Sequence, residues 1–364
     1  MEPRFIIKTH TEALRPRNYS LLIAKCTYPD KSAYPEVIIK RLQEWMILLK
    51  WIEKPKPGKV SSVAKFTVIL STEKSRGFGF LLDNMVWTWK GHVINTVLFY
   101  LDKKEKNDLK LYEDLSKMEK ICYLRYFLET EGAIILKFAE KFTKTGTLSY
   151  PYLRGNIQEI FREIYEGYID IASDFRERIK IRETYSLMKS KEKYNESTLA
   201  HKIEPHLQAL ADLGILSTEK KNGEEIYIPV NFRGTSTFEI IFNELKDFKT
   251  MENMFSNDEY FHLIAQIYNL APINYLYELH RDLLKETIFY GYQVMSDKTT
   301  GMADIAALID WCCIKILSEN NILVGRKDIH SFLNKIRVED SSRIRFHVDG
   351  KGRIAYLIFR NGFK

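Results

Sequence analysis

"NESTLAHKIEPHLQALADLGILSTEKKNGEEIYIPV" runs from Asn195 to Val230. Leu199, Ile203, Leu207, Leu210 and Leu213 recur at steps of four, four, three and three, which places them on one face of a helix. Gly214 follows where a left-handed C-cap is wanted. Asn195 or Ser197 could cap the helix start. "ILS" then opens a strand, Asn222-Gly223 makes a tight turn, and "IYIPV" returns.

A similar order is expected from Met302 onward. "ADIAALIDWCCIKILSEN" reads as an amphipathic helix, "ILV" as a short strand, and "RKDIHSFLNKIR" as a basic helix. "RIRFHVDGKGRIAYLIF" reads as a hairpin turning at Asp349-Gly350. In its first strand Ile344, Phe346 and Val348 alternate with Arg343, Arg345 and His347, so one face is apolar and the other cationic.

Both stretches, 195–230 and 302–359, resemble the winged helix-turn-helix superfamily, and "HLQALADLGIL" is similar to its passage from recognition helix to wing. The resemblance implies a helix in the major groove and a wing against phosphate or in the minor groove. In the C-terminal module Lys327, His330, Ser331, Asn334, Lys335 and Arg337 lie between or beside the apolar Ile329, Phe332, Leu333 and Ile336. Arg343, Arg345, Lys351 and Arg353 would furnish its wing. In the central module Thr198, His201, Lys202, Pro205 and Gln208 would face out, with Lys220, Lys221 and Asn222 at the tip. Glu219, Glu224 and Glu225 offset those lysines. Winged helices also serve as protein-binding modules, so the alternative is an adaptor whose modules grip a partner enzyme.

A weaker third case spans 35–82. "PEVIIKRLQEWMILLKWI" places Ile38, Leu42, Trp45, Met46 and Leu49 on one helical face, "FTVIL" reads as a buried strand, and "FGFLL" reads as its return. Lys74 and Arg76 then stand on the connecting loop as DNA-contact candidates. "RGFGF" (Arg76 to Phe80) also spells the start of an RRM strand, but Asp83 occupies the place of the second outer aromatic and cannot stack a base.

The expected fold class is mainly α with small β-hairpins (α+β), several winged-helix modules being joined by helical segments. The expected organisation is a basic N-terminal module (1–90), a helical segment (91–190), a central winged-helix-like module (191–235), a second helical segment (236–300) and a basic C-terminal winged helix (301–364). "MEKICYLRYFLETEGAIILKFAEKF" reads as one or two helices broken near Gly132, and "GNIQEIFREIYEGYIDIASDFRERI" as another long one. Helix is also expected through "INYLYELHRDLLKETIFYGY".

Charge is segregated. Residues 1–90 carry sixteen Lys and Arg against eight Asp and Glu, and residues 326–364 carry ten against four. With a total of +7, the middle is net −7. Basic ends suit a polyanion, and an acidic middle suits a protein partner. The four cysteines, two of them adjacent, have no CxxC spacing and read as reduced core thiols, which suits a cytoplasmic protein. No leader and no membrane-spanning run is expected. No P-loop, GxSxG or HExxH motif occurs, and His201 and His206, five apart, do not share a helical face for a metal. No catalytic residue, cofactor or metal is therefore assigned. The expected function is non-catalytic binding of double-stranded DNA, as a regulator or the gripping subunit of a complex. A metal-dependent nuclease with a dispersed site is the third reading.

Overall fold

The computed structural model describes residues 3–4, 34–48, 50, 52–62, 64–65, 68, 87–104, 115–190, 196–232, 234–270, 273–274, 280–339, 341–350 and 352–360. They form a mainly helical α+β structure with small sheets, mostly antiparallel. Helix α1 (Pro35–Leu48) buries Ile38, Leu42 and Met46, three members of the expected stripe. Val68, inside the expected strand "FTVIL", is instead helical and buried, because packing overrides the β preference of branched residues. "FGFLL", Lys74, Arg76 and the RRM-like motif lie outside the described residues.

Helix α2 (Trp89–Lys104) precedes α3 (Lys117–Thr145), which runs 29 residues without a break. Ser116 and Glu119 form a capping box at its start. The break expected at Gly132 is absent: a Cβ there would meet Met251 Sδ at 3.0 Å, so the glycine permits a close approach within a helix whose burial outweighs its weak propensity. Then come β1 (Leu148–Ser149), α4 (Tyr150–Gly155), α5 (Ile157–Ile171) and α6 (Phe175–Ser190). The long helix expected here is divided because Ala172 adopts extended backbone, with ψ at 129°.

Helix α7 (Glu196–Asp212) takes in Ser197 rather than being capped by it, and Asn195 is outside the described residues. Its end matches expectation: Gly214 has φ +73°, and Ile215 N donates to Leu210 O. β2 (Leu216–Lys221) and β3 (Glu224–Pro229) pair about Asn222 and Gly223, both at positive φ. β1 joins the other edge of β3, Leu148 opposite Tyr227, and the sheet order is β1-β3-β2.

A small hairpin, β4 (Asn231–Phe232) with β5 (Thr235–Ser236), leads into α8 (Thr237–Leu245), α9 (Phe248–Ser256) and α10 (Tyr260–Ile267). β6 (Ile273–Asn274) occupies part of the expected helix, so α11 (Arg281–Met295) starts later. After it come β7 (Ala303–Asp304), α12 (Ile305–Asn320), β8 (Ile322–Leu323), α13 (Arg326–Glu339), β9 (Ile344–Val348) and β10 (Ile354–Phe359). α12 is buried nearly all round, among α2, α3, α11 and α13, rather than amphipathic. "ILV" contributes β8, but β8 pairs in parallel with β6; the hairpin's companion strand is β7, in the order β7-β10-β9.

With α3 and β1 counted into the central unit (117–229) and α11 into the C-terminal one (281–359), the two share one plan. A helix leads to a short strand, further helices follow, and a hairpin closes the unit. In each, the short strand lies antiparallel to the hairpin's last strand.

Candidate nucleic-acid interface

Ile329, Phe332, Leu333 and Ile336 are the buried side of α13, which packs on α12 and β9. Their spacing leaves the opposite side free of core contacts. Lys327, Ser331, Lys335 and Arg337 are exposed there and His330 and Asn334 are half-buried, so the six helix residues read from the sequence do flank the core stripe. Val338, 81 % exposed, extends the outward row Lys327, Ser331, Asn334 at a helical step. It was missed in the sequence, although it falls off the Ile329–Ile336 stripe.

In the hairpin, Arg343, Arg345 and Arg353 are exposed, while Lys351 is outside the described residues. Ile344 is buried opposite Phe359, and Phe346, opposite Leu357, lies under the Arg337 guanidinium at 5.1 Å. The alternation fails at the tip. Val348 is 63 % exposed because the hairpin overhangs its core, and His347 is half-buried. Three acids of α13 and the hairpin are held locally. Asp328 accepts from Gly325 N at 2.9 Å, Asp349 accepts from Arg353 N at 2.9 Å, and Glu339 pairs with Arg281 at 3.3 Å.

The start of α13 is anchored from below. Asp310 of α12 is fully buried, with Oδ1 2.8 Å from Arg326 Nη1 and Oδ2 3.1 Å from Arg125 Nε of α3. Tyr126 OH donates to the same carboxylate at 3.4 Å. The Arg125 guanidinium stacks over Tyr260 at 4.4 Å and pairs with Glu129, which lies 3.2 Å from Lys90 Nζ. Burial alone would push the Glu129 carboxyl up, yet Arg125 and Lys90 hold it below the usual range. The Lys90 ammonium is lowered, chiefly by burial. Arg326, Arg125 and Asp310 were not singled out in the sequence, because nothing local marks partners so far apart along the chain.

Beside this anchor a cleft of about 610 Å³ opens between α10 and α13, lined in part by Glu244, Asp258, Glu259, His262, Arg326 and Lys327. Its carboxylates end the cationic surface at the helix N-terminus.

The central unit is different. Pro205, expected to face out, is buried in α7, and Gln208 is half-buried and bonded to Glu204. His206, 2 % exposed, sits 2.9 Å from Glu131 of α3, which is 1 % exposed. Thr198, His201 and Lys202 belong to α7, but their side chains lie outside the described residues. Lys220 and Lys221 are exposed, yet they face Glu225 and Glu224 directly across the hairpin. Cross-strand pairs of opposite charge largely neutralise that tip.

Cys122, Cys312 and Cys313 are buried free thiols. Among the described residues no three His, Cys, Asp or Glu are grouped to hold a metal ion, and no helix is long and apolar enough to cross a membrane. No family model matches the chain, and comparison with curated proteins and with solved structures produced no match.

Proposed function

We propose that this protein binds double-stranded DNA without catalysis, through a C-terminal winged helix made of α11, β7, α12, α13, β9 and β10. The observation that carries the reading is that Lys327, Lys335 and Arg337 of α13 and Arg343, Arg345 and Arg353 of the hairpin are all exposed, while Asp328, Asp349 and Glu339 beside them are engaged in hydrogen bonds or an ion pair. A helix offering polar side chains outward, next to a basic hairpin, supplies what groove insertion with phosphate contact requires. The shared topology of the two units supports winged helices in both.

The central unit favours a second role, as a support or partner-binding module. Its helix α7 is largely buried over 203–212, Pro205 and His206 included, and its hairpin tip is charge-balanced. A cytoplasmic setting and service as a regulator or complex subunit belong to the same proposal.

Fluorescence anisotropy with labelled duplex DNA, single-stranded DNA and RNA, at low and high salt, tests the reading. Duplex should bind most tightly, with affinity falling steeply as salt rises. Glutamate at Arg343, Arg345, Lys351 and Arg353 together should abolish duplex binding. Unchanged binding by that variant removes the C-terminal surface from consideration, and co-purification of a protein with no duplex binding favours the adaptor.

A further inference from the structure

The outward row of α13 is not uniformly basic. From the N-terminus it reads Lys327, Ser331, Asn334, Val338, and the flanking cations Lys335 and Arg337 stand to either side. The row ends on Val338, 81 % exposed, an apolar group that makes no phosphate contact. The Asn334 amide is also oriented: its Nδ2 lies 2.9 Å from His330 Nδ1. An amide nitrogen can only donate, so His330 Nδ1 accepts, and one N–H and the carbonyl oxygen of Asn334 remain. Those two groups match adenine, whose N7 accepts and whose N6 amino group donates in the major groove; a small apolar side chain matches the thymine methyl. No arginine or carboxylate stands in the row, and its one lysine, Lys327, lies at the N-terminal end beside the cleft acids, away from Asn334 and Val338.

We infer that α13 reads an A·T-containing site in the major groove, Asn334 taking adenine and Val338 the adjacent thymine methyl. This rests on the DNA-binding reading and narrows it. Glu244 and Glu259 at the cleft, beside an Asp258 that Arg326 already pairs at 3.7 Å, disfavour phosphate at the helix N-terminus, so the middle and C-terminal turns enter the groove. His330 is a positioning residue that fixes the amide.

The probes are three labelled duplexes: poly(dA-dT), its deoxyuridine counterpart lacking only the C5 methyl, and poly(dG-dC). The full chain should prefer poly(dA-dT) over poly(dG-dC) by about five- to a hundredfold, the worth of one bidentate base pair contact. Loss of the methyl should weaken binding severalfold. Val338→Ser, which removes the apolar contact, should shrink the difference between thymine and uracil duplexes, weakening binding to the thymine duplex more than to the uracil one. Asn334→Ala should erase most of the preference over poly(dG-dC). Val338 is exposed and carries no core contact, so its variant folds; a thermal melt checks both variants. The uracil arm separates this from a wing that simply favours the narrow A·T minor groove, because the methyl lies in the major groove. Equal affinity for all three duplexes overturns the inference and leaves the DNA reading standing. Binding to none of them overturns both.

Discussion

Asp310 shows what one buried carboxylate can do. It faces Arg326 and Arg125 in a site without exposure, so its charge compensates two guanidinium groups. Asp310→Asn keeps the shape and removes the charge. Arg125 keeps Glu129 and Arg326 keeps Asp258 at 3.7 Å, but both lose their buried counter-ion, a loss of up to about 3–5 kcal/mol. The midpoint of urea unfolding should fall while the slope stays constant. A surface carboxylate behaves differently. Burial would raise Glu140, but Lys144 and Lys137 hold it at about 2, against an ordinary 4.5. A depressed acid contributes stability above its unfolded pKa and loses it as pH falls through the folded value. Glu140→Gln should therefore flatten the stability curve between about pH 4.5 and 2, with exposure of the group limiting the effect to under about 1 kcal/mol. Neither role was legible in the sequence. Arg326 reads as one more basic residue of a basic helix, because its partner stands on another helix.

Elements were legible where one face meets the core and the other meets water. α1 and α13 follow their periodicity, and α7 follows it along Ile203, Leu207, Leu210 and Leu213. Both hairpins form where expected, although the C-terminal one loses its alternation at the tip, and Gly214 and Asn222-Gly223 turn the chain where their conformational freedom suggests. The pattern failed where both faces are covered. α12 carries no polar stripe because α11 approaches it at Gly291, where a Cβ would lie 2.5 Å from Trp311 Cδ1 and 2.7 Å from Leu308 Cδ1. Pairing partners were also illegible: β7 and β8 are each two residues long, and sequence alone does not say which one joins the hairpin. Gly291→Ala tests the helix contact. Alanine is the better helix former by about 1 kcal/mol. Overpacking against Trp311 should nonetheless make the variant less stable by about 1–3 kcal/mol, read as a lower thermal midpoint.

Charge at the scale of the whole molecule is not the tally of its two ends. Arg4 pairs with Glu252 at 2.9 Å, Lys90 with Glu129 at 3.2 Å, and Arg326 with Asp310 at 2.8 Å, so three of the terminal cations stabilise the interior. What remains of the electrostatic argument is local, and it divides the two units. Arg343, Arg345 and Arg353 stand exposed on the C-terminal hairpin, whereas Lys220 and Lys221 each face a glutamate on the central one. Counterion release turns this division into a slope. Each phosphate neutralised contributes about −0.9 to the dependence of log affinity on log salt for duplex DNA. Replacing Arg343, Arg345 and Arg353 one at a time by alanine should make the slope shallower by up to about 0.9 per residue, with affinity falling alike for every duplex sequence. Lys220→Ala with Lys221→Ala should leave the slope where it was. A titration series over several salt concentrations measures both, and an equal change from the central lysines would mean that the two hairpins share the phosphate backbone after all.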